Sequence, residues 1–160
     1  MEHEIFVSRD VIGLGHNNSK KLITRAVNMA LDAEGVGEKC IVDVMLTDDE
    51  GIRAVNKEFR NVDASTDVLS FPFNELEPGK FAPDACERDP ESGAIMLGDM
   101  MISVPHCEKQ GEEFGHGYDR EIMYLTVHSI LHLLGYDHMD EGPMKKQMRE
   151  REKAIMGDKD

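Results

Sequence analysis

Ile122-Met-Tyr-Leu-Thr-Val-His128-Ser-Ile-Leu-His132-Leu-Leu-Gly135-Tyr-Asp-His138 is the stretch around which the rest of the chain must pack. From Ile122 to Leu134 it is apolar on nearly every side, and a helix that is apolar all round is a buried one. Its two histidines, His128 and His132, are four apart. They share one helical face, with Cβ atoms roughly 6 Å from each other. That spacing lets two imidazoles reach one metal ion at about 2.0–2.1 Å. Gly135 suits the position just past the helix end, where a positive φ favours glycine. Beyond it the chain can turn and bring His138 back as a third ligand. A single histidine in a core is ordinarily a satisfied structural residue. Three at this spacing, buried without a shared partner, would be costly. Three nitrogen ligands leave a fourth position open, as catalytic zinc requires and structural zinc does not.

The spacing matches the zinc-peptidase pattern H-E-x-x-H-x-x-G-x-x-H except at one position. Ser129 stands where the peptidase glutamate acts as general base, and a serine hydroxyl is too weak a base at neutral pH to replace it. The motif therefore keeps the metal geometry and points to hydrolysis of something other than peptides.

The 160 residues are enough for one domain with a real core, and a single domain over 1–160 is expected. Lys and Arg number 18 against 32 Asp and Glu, a formal net charge of −14. Half of that excess lies in residues 61–100, where nine acids face only Lys80 and Arg88. Such acidity argues against nonspecific nucleic-acid binding, so any RNA function must rest on a local basic site. Cys40, Cys86 and Cys107 are odd in number and unpaired in pattern, and read as reduced thiols. The first residues carry neither a basic region nor an apolar signal segment, and no apolar run reaches membrane-spanning length. A cytosolic protein without membrane attachment is expected.

In chain order, Ile5–Ser8 reads as a strand and Gly13-Leu-Gly15 as a turn. Asn17 to Ala33 shows helical periodicity, with Asn17, Asn18 or Ser19 as N-cap. Cys40 to Leu46 is a Val- and Ile-rich strand. Thr47-Asp-Asp-Glu50 reads as a capping box opening a helix to about Arg60, whose buried stripe is Ile52, Val55 and Phe59. Arg53, Lys57 and Arg60 form a basic stripe on another face. Thr66 to Phe71 is a strand ending at Pro72, and 74–92 is a long acidic loop. Residues 94–103 form a strand in which Gly98 marks a bulge or close backbone approach. Pro105 to Glu113 is a helix, Gly115-His-Gly117 breaks it, and the histidine helix begins near Asp119. Pro143 opens a last helix with Met144, Met148 and Ile155 inward. The fold is α+β or α/β, with one small sheet, largely parallel early strands and helices packed on it.

Asn56-Lys-Glu-Phe59-Arg60, Thr66-Asp-Val-Leu-Ser-Phe71, Leu97-Gly-Asp-Met-Met-Ile-Ser103 and the three-histidine segment occur together in this order. In this they resemble the YbeY family, zinc-dependent endoribonucleases of bacterial rRNA maturation. The likeness runs from about residue 40 to 140. Phe59, Ser65 and Ser129 depart from the family's usual tyrosine, proline and glycine. The resemblance implies a mixed, mostly parallel four-stranded sheet flanked by about five helices. It implies one Zn2+ per chain held by His128, His132 and His138, with Arg60 and His128 in catalysis. It also implies single-stranded RNA as substrate, small-subunit rRNA processing and ribosome quality control. Partners would be the ribosomal small subunit or assembly factors, and no DNA substrate is expected.

Residue chemistry agrees with that expectation. Bound zinc lowers the pKa of its water toward about 7, and an Arg60 guanidinium can hold phosphate oxygens bidentately. The bland alternative for Arg60 is a surface ion pair with Asp63 or Glu58. Asp67 and Asp99 are candidates for support only, as partners of a ligand histidine or as turn formers. Two rival readings remain. One is a zinc peptidase. The other is a non-catalytic ribosome-assembly factor whose structural zinc is closed by Asp137 or Cys107.

Overall fold

The computed structural model describes residues 2–137 and 142–157. Four strands, β1 (Glu4–Arg9), β2 (Cys40–Thr47), β3 (Val68–Pro72) and β4 (Ile95–Ser103), form one sheet in the order β1-β2-β4-β3. β1, β2 and β4 run parallel and β3 is antiparallel to β4. Five helices accompany them among the described residues: α1 (Ser19–Ala33), α2 (Asp49–Arg60), α3 (Val104–Glu113), α4 (Gly117–Leu133) and α5 (Pro143–Met156). The fold is the expected α+β arrangement with a mostly parallel sheet.

Side-chain alternation along the strands sets the layers. Val42, Val44 and Leu46 of β2 and Leu97, Met100 and Ile102 of β4 point to one face and are buried against the helices. Ile23, Ala26, Val27 and Ala30 of α1 and Ile122, Val127, Ile130 and Leu131 of α4 are wholly buried in the same core. α4 is therefore the buried helix that its composition predicts. Across the sheet, Asp43, Met45, Asp99 and Met101 share a recess with Val55 and Phe59 of α2.

Several boundaries differ from expectation for local reasons. The N-cap of α2 is Asp48, in extended backbone at φ −107° and ψ −176°, whose Oδ1 accepts from Gly51 N–H at 2.8 Å; Thr47 is the last residue of β2. The buried stripe of α2 is Ile52 and Asn56; Phe59 is 67% exposed and meets Phe71 edge-on at 5.9 Å. β3 begins two residues late because Asp67 turns its carboxylate onto Val68 N–H at 2.7 Å. Met144 lies outward, and Met148, 1% exposed, is the apolar anchor of α5. The acidic loop is pinned at its base: Asn74 donates to the Met96 carbonyl and accepts from Glu87 N–H. It also carries a short 3-10 turn at Pro83–Ala85.

Two glycines permit close approaches that position α4. At Gly98 the β2–β4 register shifts, and an added Cβ would lie 2.5 Å from the Phe71 carbonyl oxygen. Gly135, at φ +103°, ends the α4 turn with the Leu76 carbonyl oxygen 2.1 Å from any added Cβ. Both sides of that contact are backbone, so neither yields cheaply. Gly135→Ala is expected to lower stability by on the order of 2–3 kcal/mol through clash and positive-φ strain. Urea unfolding should show a lower midpoint at unchanged slope. A variant as stable as the parent would mean that the Leu76 segment is loosely held.

Candidate active site

α4 delivers His128 and His132 to one side of a cleft of about 620 Å³, which is also lined by Arg60, Asp67, Ser70, Tyr136 and Asp137. The two imidazole rings stand 4.8 Å apart at an interplanar angle of 80°. His138 lies outside the described residues, so the third member of the expected ligand set has no structural account.

Each described histidine is oriented by a partner on its Nδ1. His132 Nδ1 donates to the Tyr136 carbonyl at 3.0 Å. A carbonyl can only accept, so the proton sits on Nδ1 and Nε2 is the basic nitrogen. His128 Nδ1 donates to Glu152 Oε2 on α5, and the Tyr124 hydroxyl donates to Glu152 Oε1 at 2.7 Å. Burial drives the Glu152 carboxyl upward. The hydrogen bonds from His128 and Tyr124 and the nearby imidazoles outweigh it, and hold the group below the usual carboxylate range. An ionised Glu152 likewise fixes the proton of His128 on Nδ1. Two imidazoles with matched tautomers and neighbouring rings suit a borderline cation such as Zn2+, and carboxylate–histidine pairing is the usual support for a metal ligand.

The residue before Glu152 serves the other ring. Arg151 Nε donates to Glu34 Oε2 at 2.6 Å, and the Tyr136 hydroxyl donates to Glu34 Oε1 at 2.5 Å. Tyr136 is the residue whose carbonyl holds His132. Thus consecutive side chains of α5 brace both histidines, one directly and one through Glu34 and Tyr136. Sequence reasoning missed this. The signal was a carboxylate four residues after Met148, on the inward stripe of an otherwise apolar face.

Ser129 is fully buried, and its Oγ lies 2.6 Å from Ser70 Oγ, tying α4 to β3. The position of the peptidase base is thus occupied by a strut. Asp67 has turn and anchoring duties: besides Val68 N–H, it accepts from Gln110 Nε2 at 3.1 Å. Asp99 does not line the cleft; it sits beside Asp43 across the sheet, where burial and that neighbour raise its pKa. Asp137 does line the cleft. Cys107 does not; it is buried in the core, where desolvation drives its pKa far above the ordinary thiol range. Cys40, Cys86 and Cys107 are all free thiols.

Arg60, at the C-terminal end of α2, is exposed and lines the cleft. The chain leaves α2 through Asn61 in the left-handed region, which ends the helix there. Asp63 is taken by Arg53 at 2.7 Å, so the expected basic stripe is interrupted at its first member while Arg60 is not bound to Asp63.

The family model of Endoribonuclease YbeY matches residues 5–159. The chain belongs to the YbeY family. It is 43% identical over 143 residues to the endoribonuclease YbeY of Clostridium kluyveri, which covers 86% of this chain and 87% of that protein. It is 44% identical over 144 residues to that of Lachnoclostridium phytofermentans, covering 87% of each. The solution structure of TM1509 from Thermotoga maritima is similar at a TM-score of 0.56 and 23% identity, covering 96% of this chain and 89% of that one; this likeness concerns the fold. As a YbeY-family member the chain is an endoribonuclease, a hydrolase acting on RNA. Among the described residues no helix is long and apolar enough to cross a membrane.

Proposed function

We propose that the chain is a zinc-dependent endoribonuclease for single-stranded RNA, a single domain over residues 1–160. It would act in the cytoplasm in small-subunit rRNA maturation and ribosome quality control, beside the ribosomal small subunit or its assembly factors. The observation that carries this reading is the pair of rings 4.8 Å apart, each with Nδ1 donating away so that Nε2 is the basic nitrogen, in the cleft that Arg60 lines.

His128, His132 and His138 would hold the metal ion. When bound, zinc makes a nucleophilic water available near neutral pH and polarises a phosphoryl oxygen. The chain's own residues do the rest. Arg60 takes two non-bridging oxygens of the scissile phosphate and opposes the charge that grows on them. Glu152 and the Tyr136 carbonyl keep the two rings from rotating. The Ser70–Ser129 strut holds the cleft's β3 wall against α4.

Asp137 supports a second reading, in which a fourth protein ligand closes the metal shell and the chain is an assembly factor without catalysis. A peptidase finds no support, since Ser129 is spent on Ser70.

The deciding experiment is cleavage of a fluorescent single-stranded RNA by the purified protein before chelation, after it, and after Zn2+ is restored. Cleavage should vanish and return. Ligand imidazoles must be neutral, so metal binding should weaken as pH falls through the histidine range near about 6.5. Undiminished cleavage after full metal removal would overturn the zinc reading. A stoichiometric metal complex with no cleavage would favour the assembly factor.

A further inference from the structure

We infer that α5 is coupled to the metal site: an occupied site tightens the seat of α5, and a seated α5 tightens metal binding. Arg151 and Glu152 are the positioning residues that carry the coupling. This rests on the metal reading proposed above for His128 and His132.

The seat of α5 is small. Of its 14 residues, Met148 and Glu152 alone are buried. A helix of this length is marginal on its own in water, so its order depends on what it touches. Ile155 and Met156 add partial apolar packing, and Arg120 donates to the Met156 and Gly157 carbonyls. The other polar contacts lead to the candidate site. Glu152 accepts from His128 Nδ1, and from the Tyr124 hydroxyl at 2.7 Å. Arg151 donates to Glu34 at 2.6 Å and to the Ala33 carbonyl at 3.3 Å. Glu34, its side chain 6% exposed, accepts from the Tyr136 hydroxyl at 2.5 Å, and the Tyr136 carbonyl accepts from His132 Nδ1 at 3.0 Å. One path is direct and the other runs through two residues. Each ends on the ring nitrogen opposite the one left for a metal.

That geometry ties occupancy to docking. A cation on Nε2 draws electron density out of the ring and makes Nδ1–H a stronger donor. Its bond to the Glu152 carboxylate then becomes charge-assisted on both sides. Undocking α5 would strip the carboxylate from a cationic ring, so undocking costs more when the site is filled. The converse follows from linkage: the factor by which the seat raises metal affinity is the factor by which metal favours the seat. Orienting partners of ligand histidines are worth about 10- to 100-fold in metal affinity, and the docking equilibrium of α5 should shift by as much. On loss of metal, α5 is the element that loosens.

The test is deuterium exchange of the full chain, either chelated or carrying one equivalent of Zn2+, read by mass spectrometry on peptides from residues 143–157. Peptides of α3 report any general stabilisation. Zinc should slow exchange in α5 about 10- to 100-fold beyond its effect on α3. Glu152→Gln keeps the size, removes the carboxylate charge and should abolish most of that excess. Arg151→Gln leaves Glu152 in place and should lower the excess by less. Its side chain is 33% exposed, so it decides alone if Glu152→Gln does not fold. Zinc bound at one equivalent with α5 slowed no more than α3 overturns the coupling and leaves the metal reading standing. So does an undiminished excess in either variant. A chain that binds no Zn2+ overturns both.

Discussion

His132→Ala is expected to leave the chain folded and unable to hold a stoichiometric metal ion. The substitution falls in the last turn of α4, on a ring that faces the cleft and is only partly buried, so little core packing is lost. The Tyr136 carbonyl loses its Nδ1 donor but borders the cleft, where water can replace it. What remains of the proposed ligand set is two imidazoles in place of three. Loss of an orienting partner typically weakens metal affinity about 10- to 100-fold, and loss of a ligand should exceed that range. Glu152→Ala gives the internal scale. It removes the carboxylate that takes His128 Nδ1 and leaves the Tyr124 hydroxyl without its acceptor, and should fall within the 10- to 100-fold range. Metal analysis after dialysis at neutral pH, with circular dichroism as the control for folding, separates the two. One full equivalent of metal retained by His132→Ala would remove His132 from the ligand set. Parental affinity in Glu152→Ala would reduce that carboxylate to a packing partner.

How much of this was legible in the sequence divides along physical lines. Periodicity reports burial, so the strands, the apolar α4 and the closing glycine at 135 could be read from spacing alone. Local turn chemistry was read less well. Asp48 displaced Thr47 as the cap because its carboxylate takes the Gly51 N–H, while the Thr47 Oγ1 is buried with no hydrogen-bond partner among the described residues. Phe59 was placed inside by its spacing, yet it is largely exposed at the recess between α2 and the sheet, touching Phe71 only edge-on. The bracing of the histidines was out of reach for a different reason. Arg151 meets Glu34 across 117 positions and Glu152 meets His128 across 24, separations that carry no periodic signal. A carboxylate among inward apolar residues says that a partner exists and does not say which.

Arg60→Lys is the second variant with a large expected effect. Arg60 ends α2 where the chain turns through Asn61, and it lines the cleft with both described histidines. It is not locked into a pair with Asp63, because Arg53 already holds that carboxylate. A guanidinium in this position can oppose charge on two phosphate oxygens at once, and that charge grows toward the transition state. Lysine keeps the positive charge and loses the planar fork. The expected result is a loss of at least about tenfold in single-turnover cleavage of a short single-stranded RNA, equivalent to about 1.4 kcal/mol of barrier. Metal content and RNA affinity should stay near those of the parent, and Arg60→Ala should lose more. The binding isotherm decides between roles. Cleavage that falls only as far as binding falls makes Arg60 a docking group, since an interaction equal in ground and transition states leaves the chemical step unchanged. Cleavage at the parental rate in Arg60→Lys would mean that a point charge suffices, and that the fork contributes nothing to the barrier.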